Sequence, residues 1–108
     1  MLKGDAEVTS TDLDQLSTLF HLLADKTRLA ILLALARGEK NVTALCEELD
    51  LPQPTISHHL GLLRMNNLVA NRRFGKQVFY MLHARGDGDS IMHFALQNLA
   101  VRICRRTP

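Results

Sequence analysis

Residues 42–81 read VTALCEELDLPQPTISHHLGLLRMNNLVANRRFGKQVFYM, and the order of their parts decides the fold. Val42–Leu49 puts Val42, Leu45 and Leu49 on one helical face. Asp50-Leu51-Pro52 is a tight break. Helical spacing resumes over Gln53–Met65, with Ile56, Leu60 and Leu63 toward a core. Pro54 falls in its first turn, where a missing N–H costs little. Asn66-Asn67 ends that helix. Leu68-Val69-Ala70 and Gln77–Leu82 are β-rich runs around a basic turn, Arg72-Arg73-Phe74-Gly75-Lys76, and pair as a hairpin. Helix, brief turn, helix is the unit that lays its second helix in the major groove of DNA. A basic hairpin directly after it makes a winged helix-turn-helix, with the helical unit at about residues 42–65 and the wing at about 68–82.

On the N-terminal side, Ser10 or Thr11 is a good N-cap, and Asp12 and Asp14 suit the first turn of a helix. Leu13, Leu16, Leu19, Phe20 and Leu23 repeat at helical spacing. Asp25 caps a second helix over residues 26–37. Its apolar positions, among them Leu29, Ile31, Leu32, Leu33 and Leu35, run nearly all round, which predicts a central, buried element. Gly38 closes it, and Asn41 or Thr43 caps the next helix. Past the wing, Arg85-Gly86-Asp87-Gly88 reads as a loop. A last helix is predicted over residues 89–105, bearing Ile91, Met92, Phe94, Leu96, Leu99, Val101 and Ile103. That is more apolar surface than one small domain covers, so this helix, with helix 1, predicts a homodimer interface. The expected fold class is mainly α with a small β-hairpin: a homodimeric winged helix-turn-helix of about five helices plus wing. Residues 1–9 are expected to be a flexible N-terminus and residues 10–106 one domain.

A chain of 108 residues suits a single domain. No apolar run reaches the roughly 20 residues needed to span a bilayer, and MLKGDAEVTS has no hydrophobic signal segment. A cytoplasmic, nucleoid-associated protein with no membrane partner is expected. Two cysteines, Cys46 and Cys104, do not make a disulfide scaffold and are expected as free thiols. The net charge of +2 hides an asymmetry. Residues 1–50 carry five Lys/Arg against nine Asp/Glu, whereas residues 51–108 carry eight against two. The basic half holds the second helix and the wing, the footprint of a phosphate-contacting face. There is no nucleophile–base pair, no paired carboxylates on one face and no phosphate-cradling glycine loop, so an enzyme is not expected. A competing reading is a winged-helix protein–protein interaction module that does not bind DNA.

Three segments together resemble the ArsR/SmtB family of bacterial winged-helix repressors. They are LFHLLADKTRLAILLAL, then VTALCEELDLPQPTISHHLGLLRMNNLV, then RRFGKQVFYML. The resemblance covers roughly residues 16–104. It implies a dimeric, sequence-specific transcriptional regulator that places two recognition helices on a palindromic operator in double-stranded DNA and is released by a ligand.

Recognition helices meet bases near their N-terminus, here Gln53, Thr55, Ser57 and His58. Gln can pair bidentately with adenine, and Ser or Thr with several base edges. Relatives often carry Arg where this chain has His58. His59 matches the family's histidine and reads as a structural hydrogen bond on the inner side of the helix. Arg64 reads as a phosphate contact or a surface charge. In the wing, Arg72, Arg73 and Lys76 are phosphate or minor-groove contacts by type and place, and Gln77 is within reach of a phosphate.

For the releasing signal, the resemblance offers three patterns. The arsenite pattern of three thiols falls here on Asn41, Thr43 and Cys46, which lacks two of the thiolates a soft ion prefers. The last-helix metal pattern falls on Ile91, His93, Cys104 and Thr107. His93 and Cys104 are close to three helical turns apart. In an antiparallel pair, His93 of one chain is expected to meet the partner's Cys104 and hold Zn, Ni, Co or Cu, with Asp87 or Asp89 as extra ligands. The thiol-switch pattern falls on Leu33 and Cys104, so a redox device would use Cys104 with Cys46 or with the partner's Cys104. Arg102, Arg105 and Arg106 around Cys104 favour its thiolate. A regulator with no inducer at these positions is the remaining reading.

Overall fold

Capping chemistry sets the helix ends. In the computed structural model, which describes residues 7–83, 88 and 90–106, α1 spans Ser10–Leu23 and its N-cap is Thr9, one residue before the expected position. The Thr9 hydroxyl accepts from the Asp12 N–H at 3.1 Å, and the Asp12 carboxylate accepts from the Thr9 N–H at 2.9 Å. This reciprocal capping box satisfies two orphan donors. α2 spans Lys26–Ala36 and is capped by Asp25, whose Oδ1 accepts from the Arg28 N–H at 3.0 Å. Asn41 caps α3 (Val42–Leu49) through the Ala44 N–H at 2.8 Å. Asp50 then turns the chain in the left-handed region, with φ 55°. α4 spans Gln53–Met65, with Pro54 in its first turn.

The core lies where α2 meets α1, α3 and α4. Ile31, Leu32, Leu45, Ile56, Leu60 and Leu63 have no solvent exposure. On α1 only Leu19 and Leu22 are buried among the apolar residues, while Leu13 and Phe20 are 59% and 54% exposed. On α2, Leu33 also points to solvent. Leu13 and Phe20 on α1 and Leu33 on α2 are therefore left uncovered by the chain's own core.

Three strands form the wing sheet in the order β1-β3-β2, with β1 at Lys40–Asn41, β2 at Val69–Phe74 and β3 at Gln77–Leu82. The residue pairs run from Val69 opposite Leu82 to Phe74 opposite Gln77. Arg72 and Arg73 thus belong to strand β2, and the turn is only Gly75-Lys76. Gly75 has φ 60°, the positive value that the first position of such a two-residue turn demands. The short β1, which pairs Lys40 with Tyr80 and Asn41 with Phe79, was not expected; two residues carry no periodicity to read.

The C-terminal expectation is corrected. Among the described residues, 90–105 do not form a fifth helix. They contribute β4 (Ser90–Ala95) and β5 (Ala100–Cys104), paired antiparallel as a second, separate hairpin. Burial follows a period of two: Met92 and Phe94 are buried, and Val101 and Ile103 are half-buried between the exposed Ala100, Arg102 and Cys104. Leu96 and Leu99 close the turn through a 2.7 Å backbone bond across Gln97-Asn98. β-Branched Ile91, Val101 and Ile103 favour strands, and short apolar runs are ambiguous between helix and strand. Met92 and Phe94 are covered within this chain, so the surplus of apolar surface assigned to a last helix falls away. Of the residues given a role above, residues 1–6, the loop residues Arg85, Gly86 and Asp87, and Asp89 and Thr107 lie outside the described residues. Among the described residues, no helix is long and apolar enough to cross a membrane.

Candidate nucleic-acid interface

The outward face of α4 is polar and unencumbered. Ile56, Leu60 and Leu63 turn into the core, which aims Gln53, Ser57, His58, Gly61 and Arg64 at solvent, all of them exposed. Thr55 sits to the side and is half-buried. The expected base-reading set is therefore brought together as Gln53, Ser57 and His58, with Thr55 at its edge. Arg64 shares the same stripe one helix length away.

His59 points inward, as expected of a structural residue. Its Nδ1 lies 3.4 Å from Nη1 of Arg28, whose Nε donates to the Leu22 carbonyl at 2.7 Å. The same corner holds Asp25. Its carboxyl is held below the ordinary range, first by the Arg28 N–H bond and further by the charges of Arg28 and His59, with burial opposing. This cluster ties α4 to the start of α2 and the end of α1.

The wing carries Arg72, Arg73, Lys76 and Gln77, all exposed. Arg72 is not idle. It is paired with the Glu39 carboxylate and lies 5.1 Å over the Phe74 ring, which packs edge-on against Phe79. Gln77 Oε1 accepts from Asn41 Nδ2 at 3.4 Å, so it ties the wing back to the N-cap of α3. Arg73 and Lys76 carry the wing's remaining charge.

Glu39, Arg28 and Gly61 were not singled out from the sequence. Glu39 lies 33 residues from Arg72 and Arg28 lies 31 residues from His59, so no local pattern marks either contact. Gly61 had a local signal, since glycine inside a helix costs about 1 kcal/mol relative to alanine. A Cβ added there would meet nothing within 4 Å, so no internal packing demands it.

The sensor candidates stand apart from one another. Cys46 is half-buried against the core on α3, and Cys104 is exposed at the end of β5; both are free thiols. His93 pairs with Arg102, and Cys104 with Ser90, across the β4–β5 hairpin. The expected antiparallel meeting of His93 with the partner's Cys104 rested on a helix, and both residues lie on strands instead. Among the described residues, no group of three or more His, Cys, Asp or Glu side chains is placed to hold a metal ion.

Helix, turn, helix and a two-stranded basic wing define a winged helix-turn-helix protein. A family described as "Bacterial regulatory protein, arsR family" matches residues 25–71. The arsenical resistance operon repressor of Staphylococcus aureus is 36% identical over 90 residues, 83% of this chain and 86% of that protein. The chain belongs to the ArsR family. The arsenical resistance operon repressor of Escherichia coli strain K12 is 52% identical over 65 residues, 59% of this chain; the match spans only 56% of that relative. Among solved structures, the homodimeric winged helix-turn-helix domain of Mb0332 from Mycobacterium bovis superposes with a TM-score of 0.66 at 31% identity. That superposition covers 77% of each chain.

Proposed function

We propose that this protein is a sequence-specific DNA-binding transcriptional repressor, a binding protein rather than an enzyme, acting on the chromosome in the cytoplasm. The observation that carries this reading is the outward face of α4. Gln53, Ser57 and His58 are exposed together beside a basic wing, and none of them serves the core. In this reading α4 enters the major groove, Gln53 and Ser57 read base edges with Thr55 and His58 at the flank, and Arg64, Arg73, Lys76 and Gln77 hold phosphates. Arg72 joins them by exchanging Glu39 for a phosphate. The exposed Leu13 and Phe20, about two turns apart on one face of α1, support a homodimer on a palindromic operator. The exposed Cys104 supports release by a thiol-reactive signal; the alternative is a repressor without an inducer at that residue. A metal such as Zn, Ni, Co or Cu would need ligands beyond His93 and Cys104.

The test is a salt titration of binding to duplex DNA. Phosphate contacts make the affinity fall steeply as salt rises. A chain that binds no duplex DNA at low salt, or binds with no salt dependence, is a protein-interaction module instead.

A further inference from the structure

A cleft of about 600 Å³ opens between α1, the turn after α4 and the β4–β5 hairpin. Its size falls in the range of small-molecule sites, roughly 300–1,000 Å³. Met65, Ala95 and Leu96 give the cleft its accessible apolar lining over the buried Leu19, Leu22 and Phe94, and Asp14, His83 and His93 stand among them. The rest of the polar lining consists of neutral amides and a hydroxyl. No Lys or Arg lines the cleft among the described residues. An anionic ligand would meet the Asp14 carboxylate and, among the described residues, no Lys or Arg to receive it. An organic cation would find apolar walls for its body, Asp14 for its charge and imidazoles for hydrogen bonds.

The cleft also lies clear of the proposed dimer face. At helical spacing, Asp14, Thr18 and Leu22 occupy the flank of α1 opposite Leu13 and Phe20. Its walls come from two parts of the fold, the hairpin with α1 on one side and the end of α4 on the other. The hairpin turn hangs from α1 by the Gln97 N–H donating to Gln15 Oε1 at 3.1 Å and by Asn98 Nδ2 donating to Asp12 Oδ1 at 3.3 Å. The other wall is Met65 and Asn66-Asn67-Leu68, where the recognition helix ends.

We propose that this cleft binds a small amphipathic organic cation, and that its occupancy changes the affinity of α4 for DNA. The second clause rests on the DNA-binding reading; the first does not. The probes are two xanthene dyes of similar size and opposite charge, rhodamine 6G and fluorescein. They are titrated into the full-length protein without DNA and followed by fluorescence anisotropy.

Rhodamine 6G is expected to saturate one site per chain, and fluorescein to bind at least about tenfold more weakly because like charges would be brought together. Asp14→Asn should weaken the cationic dye by up to about fivefold, the worth of an exposed ion pair. Thr18→Phe, at an exposed position of α1, should fill the cleft and abolish binding while the melting temperature is kept. Equal affinity for both dyes, no binding of either, or binding indifferent to both substitutions overturns the proposal. Binding that disappears as protein concentration rises assigns the cleft to a second copy of the chain and overturns it equally. For the coupling, rhodamine 6G should shift operator affinity of the natural chain and not of Thr18→Phe. An equal shift in both is an effect of dye on DNA and overturns the coupling. Failure to bind DNA at all would show in the salt titration and leave the dye result standing.

Discussion

Nη1 of Arg28 lies 3.4 Å from Nδ1 of His59, and the same guanidinium donates through Nε to the carbonyl of Leu22. One side chain thus joins the end of α1, the start of α2 and the middle of α4. Arg has donors and no acceptor, so the contact is a hydrogen bond only when Nδ1 of His59 carries no proton. Arg28→Ala should therefore lower stability by about 1–2 kcal/mol, read as a melting temperature several degrees lower. His59→Gln, which keeps an acceptor, should cost less than His59→Leu. Equal losses for the two would mean that the ring matters for packing alone.

Arg72 is paired with Glu39 and, in the proposed DNA complex, would have to leave it for a phosphate. Glu39→Gln removes the competitor and should tighten binding to any duplex, by up to about fivefold because the pair is exposed. Arg73→Ala with Lys76→Ala should weaken binding to all sequences and flatten the salt slope by about one for each phosphate left without its cation. Filter binding at several salt concentrations reads both effects. Gln53→Ala should instead narrow the gap between operator and random DNA, with the salt slope unchanged.

Gly61 sits mid-helix on the outward face of α4, with open space where a Cβ would be. Gly61→Ala should raise stability by about 0.5–1 kcal/mol, since alanine loses less backbone freedom on folding. If the face meets DNA closely, the same substitution weakens operator binding. Thermal unfolding and operator titration on one preparation should move in opposite directions.

Asp12 and Asp25 both have carboxyls held below the ordinary range. For Asp12 the main cause is the Thr9 N–H bond, opposed by burial and aided by the Thr9 hydroxyl and Asn98. For Asp25 it is the Arg28 N–H bond. A carboxyl whose pKa is lower in the folded than in the unfolded chain adds stability above its unfolded pKa. That contribution is lost as pH falls through the folded value. Stability should thus drop on acidification below the usual carboxylate range. Asp12→Asn and Asp25→Asn should lower stability at neutral pH and make the acid limb shallower. Urea unfolding between neutral and acid pH reads the change; an unchanged acid limb would place the titrating groups elsewhere.

Phe20 and Leu13 are the exposed apolar residues of α1. Phe20→Glu should convert a dimer to a monomer in sedimentation, because it would bury a charge without a partner at the interface. As neither side chain belongs to this chain's own buried core, the monomer should stay folded by circular dichroism.

Local patterns were enough to read the three helices and the wing hairpin of residues 25–82, though not the short β1. Asp25 and Asn41 announce helix starts, because a short polar side chain can accept from the N–H groups of the first turn. The spacing of Ile56, Leu60 and Leu63 orients α4, and with it Gln53, Ser57 and His58. Gly75 marks the wing turn, because few other residues accept its positive φ. Each of these signals acts within a few residues. Residues 89–105 show where such signals stop. Their apolar side chains suit either period, and the choice fell to tertiary packing, with Met92 and Phe94 buried as alternate residues of a strand and Gln97-Asn98 bonded back to α1. The same holds for the pairs that shape the site. Glu39 with Arg72, and Arg28 with His59, lie 33 and 31 residues apart, and only folding brings their charges and hydrogen-bonding atoms within reach.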